Sequence, residues 1–276
     1  MFDNITKPLI MGILNVTPDS FSDGGRFTEI DTAIEQAKCM LAEGVDIIDI
    51  GGESTRPGSD SVSGEEQIAR VVPVIKAIRE KLSETVLISI DTTLSEVAKA
   101  ALDAGANIIN DISAGQGDKA ILHLASEGGV PIILMHMKGS PKTMQDNPSY
   151  DDVVAEVIAS LKQRVDEALA VGIKKHNIML DPGIGFGKRR EDNIALLAQL
   201  EKVVAIGYPV LLGTSRKRFM GSLCSVSEPV ELVTATAVTT ALGVMSGVQM
   251  FRVHDVKENK QAAEVAWAIK NASTTD

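Results

Sequence analysis

The stretch Pro131-Ile132-Ile133-Leu134-Met135-His136 is a short apolar run that ends in a polar residue. Seven more runs of this kind lie along the chain, at 9–16, 45–52, 87–92, 107–112, 178–183, 208–214 and 248–254. Their apolar residues are nearly continuous rather than alternating, which is typical of strands covered on both faces in a parallel sheet. The sequence therefore predicts eight buried parallel strands.

The segments between these runs have the apolar spacing of helices. One of them stops at Gly44, and another is closed by Gly172. A third begins with Ser63 and Glu66 at the spacing of a capping box, and Pro73 inside it is a point where a kink is expected. A strand followed by a helix, eight times and without a linker, predicts an α/β protein: a (β/α)8 TIM barrel, one domain over residues 1–276. A doubly wound open sheet is the alternative, and the count of eight favours the barrel.

The charge balance restricts the classes of partner. The 276 residues include 27 Lys and Arg against 37 Asp and Glu, for a net charge of −10. A protein that binds nucleic acid would carry a basic stripe, so we expect no nucleic-acid partner. We also expect no attraction to anionic membranes. A small anionic ligand would need positive charge supplied locally at its site.

Cysteine usage and the apolar runs indicate the compartment. Cys39 and Cys224 are far apart in the chain and cannot build a disulfide framework or a zinc knuckle. The first residues lack the basic and apolar regions of a secretory signal. No run approaches the roughly 18 uninterrupted apolar residues of a membrane span. We therefore expect a soluble, cytoplasmic protein.

Polar residues follow most of the predicted strands, at the end where barrels place their active sites. The first set, Asp91, Asn110 and Asp181, consists of hydrogen-bonding groups. A carboxylate can accept two N–H groups side by side, and an amide can both donate and accept, which suits a flat heterocycle with amidine-like edges. Each of these residues could instead cap the helix that follows it, but convergence of so many favours a ligand site.

A second set supplies positive charge and suits an anion. It comprises Asn15, Arg56, Lys217, Arg252 and His254, with Lys217, Arg252 and His254 where barrels usually hold phosphate. The cluster around Arg216 and Arg218 could alternatively be a solvated basic turn.

Two connections, 17–28 and 53–62, exceed the usual length of about 2–6 residues and are predicted lids over the barrel mouth. Phe21 lies in the first, and Phe186 lies in the loop after the sixth strand. With only nine aromatic residues in the chain, these two rings are expected to contact a ligand, the alternative being packing under their own loops. His136 could line the pocket or be a satisfied core histidine.

The longest motifs resemble those of the dihydropteroate synthase family. Met11-Gly12-Ile13-Leu14-Asn15-Val16-Thr17-Pro18-Asp19-Ser20-Phe21-Ser22-Asp23-Gly24-Gly25 is similar to its first signature, and Asp49-Ile50-Gly51-Gly52-Glu53-Ser54-Thr55-Arg56-Pro57-Gly58 to its second. Shorter matches follow in order: Asp91-Thr92, Asn110-Asp111-Ile112, Met135-His136-Met137, Asp181 to Lys188, Ser215-Arg216-Lys217 and Arg252-Val253-His254-Asp255. The resemblance covers essentially the whole chain. One departure is Glu231 to Ala235, where the family commonly has Arg-Leu-x-Gly.

The resemblance implies an enzyme that joins 6-hydroxymethyl-7,8-dihydropterin diphosphate to 4-aminobenzoate in folate biosynthesis, releasing diphosphate. By motif position, the pterin would be held by Asp91, Asn110, Asp181 and Lys217, with Ile112 and Met135 against its ring. The diphosphate would meet Asn15, Thr55, Arg252 and His254, with Mg2+ bound near Asn15. The aminobenzoate site, where sulfonamides would compete, would be shaped by Phe21, Arg56, Pro57, Phe186 and Ser215. Family members are usually homodimers.

The implied chemistry needs no protein nucleophile, because the pterin ring can stabilise a cationic methylene after C–O cleavage. Asp91, Lys217, Arg252 and His254 are the expected catalytic residues, and Arg252→Ala is expected to remove turnover far more than it harms folding. Two rival functions remain at this point. They are a methyltetrahydrofolate:corrinoid methyltransferase and a pterin-binding barrel without catalytic activity.

Overall fold

The computed structural model describes residues 2, 5–17, 26–54, 61–140 and 142–272, with only the backbone given for residues 26–29. Eight β-strands lie in these ranges: β1 Leu9–Asn15, β2 Ile47–Gly51, β3 Leu87–Asp91, β4 Ile108–Asp111, β5 Ile132–Met135, β6 Ile178–Asp181, β7 Leu211–Leu212 and β8 Met250–Val253. The described ranges also contain ten α-helices: α1 Arg26–Ala42, α2 Gly64–Lys81, α3 Ser95–Asp103, α4 Ala120–Gly128, α5 Val153–Ala170, α6 Arg190–Leu197, α7 Leu200–Val204, α8 Arg218–Cys224, α9 Val233–Met245 and α10 Val256–Ala272.

The strands form one parallel sheet in the order β6-β5-β4-β3-β2-β1-β8-β7. A parallel bridge between Leu180 and Val210 joins its two edges, and the N–H of Leu180 donates to the carbonyl of Pro209 at 2.9 Å. The sheet therefore closes on itself. The predicted TIM barrel is confirmed and the open doubly wound sheet is wrong. That residues 1–276 form one domain remains a prediction.

The apolar core has two parts, one inside the barrel and one between the strands and the helices, because alternate residues of each strand point to opposite faces. Inward-facing side chains fill the lower barrel: Phe2, Met11, Ile47, Ile108, Ile133, Met179, Leu211 and Met250. The other residues of the same strands, such as Ile48, Ile90 and Leu134, pack outward against the helices. Because both faces of every strand are covered, the strands need apolar residues at almost every position, which explains the continuous runs in the sequence.

The predicted cap at the start of α2 is confirmed for Ser63 and not for the reciprocal bond of Glu66. Oγ of Ser63 accepts from the N–H of Glu66 at 3.2 Å, while the Glu66 carboxylate pairs with Arg70. Helix α2 continues through Pro73. Helix α1 begins at Arg26, inside the stretch predicted as a lid. No helix in the described ranges is long and apolar enough to span a bilayer.

Register brings polar residues to one level at the barrel mouth. Asn15 pairs with Gly51, Gly51 pairs with Asp91, and Asp91 pairs with Asn110 along neighbouring strands. On the far side, Asp181 pairs with Met135. The fold thus places residues that are distant in the chain within reach of a single ligand.

Candidate functional site

The carboxylates and the amide of the predicted hydrogen-bonding set lie at the strand ends and are buried. Asp91 is 8%, Asn110 3% and Asp181 5% exposed. Ile112 and Met135, predicted to lie against a ligand ring, are also buried just above these strands. Asp111 differs, because it accepts from the backbone N–H groups of Ser113 and Gly115 and so caps its own loop.

Arg252 connects opposite sides of this mouth. Its Nε donates to Oδ2 of Asp49 at 2.6 Å, and its Nη2 donates to Oδ2 of Asp91 at 2.6 Å. The predicted diphosphate residue therefore also neutralises two buried carboxylates. Removing one partner of a buried ion pair is strongly destabilising. Arg252→Ala, expected from the sequence to harm turnover far more than folding, should therefore harm folding strongly as well.

Asp49 belongs to this site although it was not among the predicted site residues. Its side chain is fully buried, and its Oδ2 accepts from Nδ2 of Asn110 at 3.1 Å as well as from Arg252. The sequence signal was weak because Asp49 lies inside an apolar run. Strand alternation would have found it, since Asp49 and Gly51 are two residues apart and share a face.

Asp181 is held by the glycine-rich turn that follows β6. Its Oδ1 accepts from the N–H of Gly183 at 2.6 Å. Gly183 has φ +66°, and a Cβ there would lie 1.9 Å from the carbonyl oxygen of His136. Only glycine fits this turn, which fixes the carboxylate at the mouth.

Lys217 and Phe186 meet although they come from different loops. Nζ of Lys217 lies 4.1 Å from the centroid of the Phe186 ring, within the range of a cation–π interaction. A Cβ on Gly185 would lie 3.0 Å from Cδ of Lys217, so this glycine lets the lysine stem pass. Phe186 is thus half-buried beside a cation of the mouth rather than packed under its own loop.

A second buried lysine fixes the same turn. Nζ of Lys188 donates to the carbonyl oxygens of Gly183 at 2.9 Å and Phe186 at 3.1 Å, and it lies 2.8 Å from Nδ1 of His136. His136 is therefore a buried histidine with a partner. Of its two predicted roles, the core histidine is the one the geometry supports.

Ser215 and His254 form a pair across the ends of β7 and β8. Oγ of Ser215 lies 2.9 Å from Nδ1 of His254 and accepts from the His254 backbone N–H at 3.1 Å. Nearby, Arg216 makes a two-pronged ion pair with Asp255 at 2.6 and 3.1 Å. Arg216 is thus paired within the protein, so the solvated basic turn is wrong for this residue.

Burial raises the pKa of the mouth carboxylates. The pKa of Asp91 rises to about 7 because of burial and the nearby Asp49 and Asp111, against the opposing effect of Arg252. Burial also raises the pKa of Asp181 to about 6, although the Gly183 N–H and Lys217 oppose this. Both groups are therefore poised to respond to a ligand that donates N–H bonds or carries charge.

The pKa values of the basic residues shift in different directions. Burial lowers the pKa of Lys217 to about 8, with a further contribution from Arg252. Burial also lowers the pKa of Lys188 to about 7 and, with Lys188 as neighbour, that of His136 to about 3. Burial opposes the charge on Arg252, but Asp49 and Asp91 hold its pKa above the ordinary value. Arg252 is therefore the cation whose charge is most secure.

Asn15 ends β1 beside Gly51. A Cβ on Gly51 would be 3.7 Å from Oδ1 of Asn15, so the absence of a side chain there keeps space beside this amide oxygen. In the described ranges, no three His, Cys, Asp or Glu residues cluster to form a metal cage. Mg2+ usually takes one or two protein oxygens and completes its shell with water and phosphate oxygens. The residues present therefore fit Mg2+.

Four predicted ligand residues, Phe21, Thr55, Arg56 and Pro57, lie outside the described residues. A cavity of about 630 Å3 opens between the loops that follow β2 to β5, and Ser54 and Ser61, which flank residues 55–60, line it. Asp91 and Ile112 line it, together with Glu53, Gln67 and Thr92. Asp181, Lys217, Arg252 and His254 are not in its wall. The cavity therefore adjoins the polar mouth on one side.

The arrangement combines acceptors for N–H groups, cations and an aromatic ring around one opening. Carboxylate and amide oxygens can orient a flat heterocycle, and Arg252, Lys217 and His254 can face an anion. Ser215 is the hydroxyl of the described site that lies beside a base, His254, but its Oγ also accepts from the His254 backbone N–H, so the contact positions the histidine. The site is built to orient and to stabilise charge.

Comparisons with known proteins agree on one group. Residues 11–254 match the model of a family described as pterin binding enzyme. A dihydropteroate synthase from Synechocystis sp. is 46% identical over 269 residues, covering 98% of this chain and 92% of the relative. The crystal structure of dihydropteroate synthase from Clostridium difficile in the presence of pteroic acid has a TM-score of 0.91 and 44% identity, covering 98% of this chain and 99% of that one. The Yersinia pestis enzyme, crystallised with a sulfonamide drug, gives a TM-score of 0.90 and 42% identity, covering 97% and 96%.

Proposed function

The chain belongs to the pterin-binding enzymes and, among them, to the dihydropteroate synthases, and we propose that its barrel mouth performs their reaction through the residues described above. As such it is a transferase of folate biosynthesis. It joins (7,8-dihydropterin-6-yl)methyl diphosphate to 4-aminobenzoate and releases diphosphate. The observation that carries the assignment of residues is that Asp91 pairs with Asn110 and binds Arg252, while a Cβ on Gly213 would lie 3.9 Å from both Cβ of Arg252 and Oδ2 of Asp181.

Asp181, Asn110 and Asp91 hold the pterin. The ring's amidine-like edge offers adjacent N–H donors, and the Asp181 carboxylate can accept them side by side. Lys217, which contacts the Phe186 ring, stands at the edge of the pterin. Ile112 and Met135 pack against the ring faces.

Arg252 and His254 hold the diphosphate and stabilise its charge as it leaves. Arg252 is suited to this because its charge does not depend on pH and because Asp49 and Asp91 fix its plane. Oγ of Ser215 contacts both Nδ1 of the His254 imidazole and the His254 backbone N–H, which restrains this histidine. Asn15 would hold Mg2+. The ion supplies neutralisation of the diphosphate oxygens.

Reaction begins with cleavage of the C–O bond between the pterin methylene and the diphosphate. The pterin ring delocalises the resulting positive charge, and the amine of 4-aminobenzoate then attacks the methylene carbon. The arylamine loses a proton as the C–N bond forms. The residues at the mouth act by orientation and electrostatics, and the reaction forms no covalent bond to the protein.

The aminobenzoate lies on the outer side of the pterin. Phe186, half-buried beside Lys217, packs against its ring. The resemblance also assigns Phe21, Thr55, Arg56 and Pro57 to the two substrate sites. Sulfonamides compete for the same place, consistent with the Yersinia pestis complex.

One assay tests the function against its rivals. The protein is supplied with pterin diphosphate, 4-aminobenzoate and Mg2+, and diphosphate release is measured. We expect release that 4-aminobenzoate greatly increases. A methyltetrahydrofolate:corrinoid methyltransferase or an inactive pterin-binding barrel would give none, and that result would overturn the proposal.

A homodimer through α9 and α10 is part of the proposal. Of the nine large apolar residues exposed in the described ranges, five lie on these two helices: Val238, Leu242, Met245, Val265 and Ile269. A groove of about 650 Å3 runs between the helices, lined mainly by apolar residues. An exposed apolar groove flanked by further exposed apolar residues is typical of a protein–protein contact, and a second copy of the same face can cover it. Val233 and Thr234, within the stretch that departs from the family pattern, line this groove.

Light scattering on wild type, Leu242→Glu and Leu169→Glu tests the dimer. Leu242 lies in the groove, whereas Leu169 is a comparably apolar exposed residue on α5. We expect wild type and Leu169→Glu at twice the chain mass of 29.3 kDa, and Leu242→Glu as a monomer. A monomeric wild type or a dimeric Leu242→Glu would contradict the assigned interface.

A cytoplasmic location completes the proposal. Cys39 and Cys224 are exposed and free. Free exposed thiols are compatible with a reducing compartment. Cell fractionation with an antibody against the protein tests this.

A further inference from the structure

Asp49 lies in the middle of β2 and has no contact with solvent. It is set below the mouth, one level beneath Gly51. Its position in the barrel interior means that any influence on a ligand must pass through neighbouring side chains.

One oxygen of Asp49 holds two residues of the proposed site. Oδ2 accepts from Nδ2 of Asn110 at 3.1 Å and from Nε of Arg252 at 2.6 Å. Asn110 was assigned to the pterin and Arg252 to the diphosphate. These residues are 61 and 203 positions from Asp49 in the chain, so only the closed barrel brings the three together.

The carboxylate determines which groups its neighbours present. A side-chain amide can turn either its NH2 or its C=O toward a partner, but a carboxylate accepts only the NH2. The amide oxygen of Asn110 is thereby directed away from Asp49, where it can accept from a ligand. In the same way, capture of Nε sets the plane of the Arg252 guanidinium, and its Nη2 reaches Asp91.

We propose that Asp49 is a positioning residue that aligns the pterin-binding amide of Asn110 and the diphosphate-binding guanidinium of Arg252 through one shared carboxylate oxygen. The inference rests on the proposed function of the mouth. It adds that Asp49 helps to set the distance and angle between the groups that bind the pterin and the groups that bind the diphosphate of one substrate.

Asp49→Asn is nearly isosteric and removes the constraint, since an amide can offer either of its groups to Asn110. Hydrogen bonds to charged groups are worth enough that we expect the Kd for 6-hydroxymethyl-7,8-dihydropterin to rise about 10- to 100-fold. We expect kcat to fall by a similar factor and the KM for 4-aminobenzoate to change less than about threefold. A uniformly damaged fold would alter all three.

Ser89→Ala is the matched control. Ser89 is Asp49's register neighbour on β3, equally buried, and its Oγ has no hydrogen-bond partner in the described structure. We expect Ser89→Ala to keep wild-type kinetics. A loss equal to that of Asp49→Asn would assign the effect to packing and overturn the proposal.

A double-mutant cycle tests whether Asp49 acts through Asn110. If it does, Asp49→Asn should weaken pterin binding of an Asn110→Ala protein by less than about threefold, because the aligned group is gone. Fully additive losses would contradict this. The proposed function fails separately, if the wild type itself shows no aminobenzoate-dependent diphosphate release.

A measurement on the wild type covers the case in which Asp49→Asn does not fold. The side-chain NH2 of Asn110, assigned by NMR from its loss in Asn110→Asp, should exchange slowly with solvent because one hydrogen binds a buried carboxylate. Exchange at the rate of a surface amide would overturn the proposal.

Discussion

Nζ of Lys217 lies 4.1 Å from the centroid of the Phe186 ring. The contact joins the loop after β7 to the loop after β6. It also joins a residue assigned to the pterin with one assigned to the aminobenzoate. The two substrate sites thus share a wall.

Phe186→Leu should separate these sites kinetically. Leucine keeps apolar volume but removes the ring, and an aromatic contact is worth roughly 0.5–1.5 kcal/mol. We expect the KM for 4-aminobenzoate to rise about tenfold, with pterin affinity nearly unchanged. Steady-state kinetics measure this. Phe219→Leu, a change at a buried ring on α8, should lower stability but leave that KM alone.

Arg252→Ala should damage both turnover and folding. It leaves Asp49 and Asp91 without their cation, and breaking a buried pair in this way costs about 3–5 kcal/mol. Arg252→Lys keeps the charge but cannot reach both carboxylates, so we expect a smaller loss of stability with a large loss of kcat. Urea unfolding and kinetics give the two values. Wild-type stability in Arg252→Ala would show that these ion pairs contribute nothing in solution.

Asp181→Asn should weaken pterin binding. The variant loses one of two charge-assisted acceptors, and we expect the Kd to rise about 100-fold. Calorimetry at pH 8, where the Asp181 carboxyl with its pKa of about 6 is ionised, makes the comparison. An unchanged affinity would sink the assignment of Asp181 to the pterin.

The same variant should change how stability depends on pH. The pKa of Asp181 is about 6 in the folded protein and 3.8 in the unfolded chain, so the folded protein binds the proton more tightly. The wild type therefore loses stability relative to Asp181→Asn as pH rises from about 4 to about 6, by about 3 kcal/mol in total. Urea unfolding of both proteins without ligand measures the difference, and a constant difference would contradict the raised pKa.

Removal of Mg2+ should stop turnover without preventing the pterin ring from binding. With EDTA, we expect no diphosphate release and an unchanged Kd for 6-hydroxymethyl-7,8-dihydropterin, which carries no diphosphate. Asn15→Ala should raise the Mg2+ concentration for half-maximal activity about tenfold, whereas Asn15→Asp keeps an oxygen donor and should not. Equal Mg2+ dependence in all three proteins would exclude Asn15 as a ligand.

The sequence predicted the barrel because burial on both faces leaves a direct trace in each strand. It overestimated strand lengths most at β7, which was predicted over 208–214 and spans only Leu211–Leu212. Pro209 has no N–H to donate to a ladder, so the strand does not extend through the first residues of the predicted run. The strand-end residues Asp91, Asn110 and Asp181 were predictable from topology. Asp49 was not predicted as a site residue because apolar residues flank it in the sequence.

Lys188 could not have been predicted as a buried residue from its position in a glycine-rich loop. Its burial depends on the carbonyl oxygens that the folded loop turns toward it, together with His136 from another strand end. Roles for Phe21, Thr55, Arg56 and Pro57 remain predictions from the resemblance.

Stoichiometry of products tests the central claim most directly. Wild-type protein is mixed with pterin diphosphate, 4-aminobenzoate and Mg2+, and 7,8-dihydropteroate and diphosphate are quantified together by mass spectrometry. We predict that, with 4-aminobenzoate present, the two products form in equal amounts, and that 4-aminobenzoate greatly increases diphosphate release. Diphosphate released without 7,8-dihydropteroate while 4-aminobenzoate is present, or no release at all from pterin diphosphate bound at the mouth, would contradict the account.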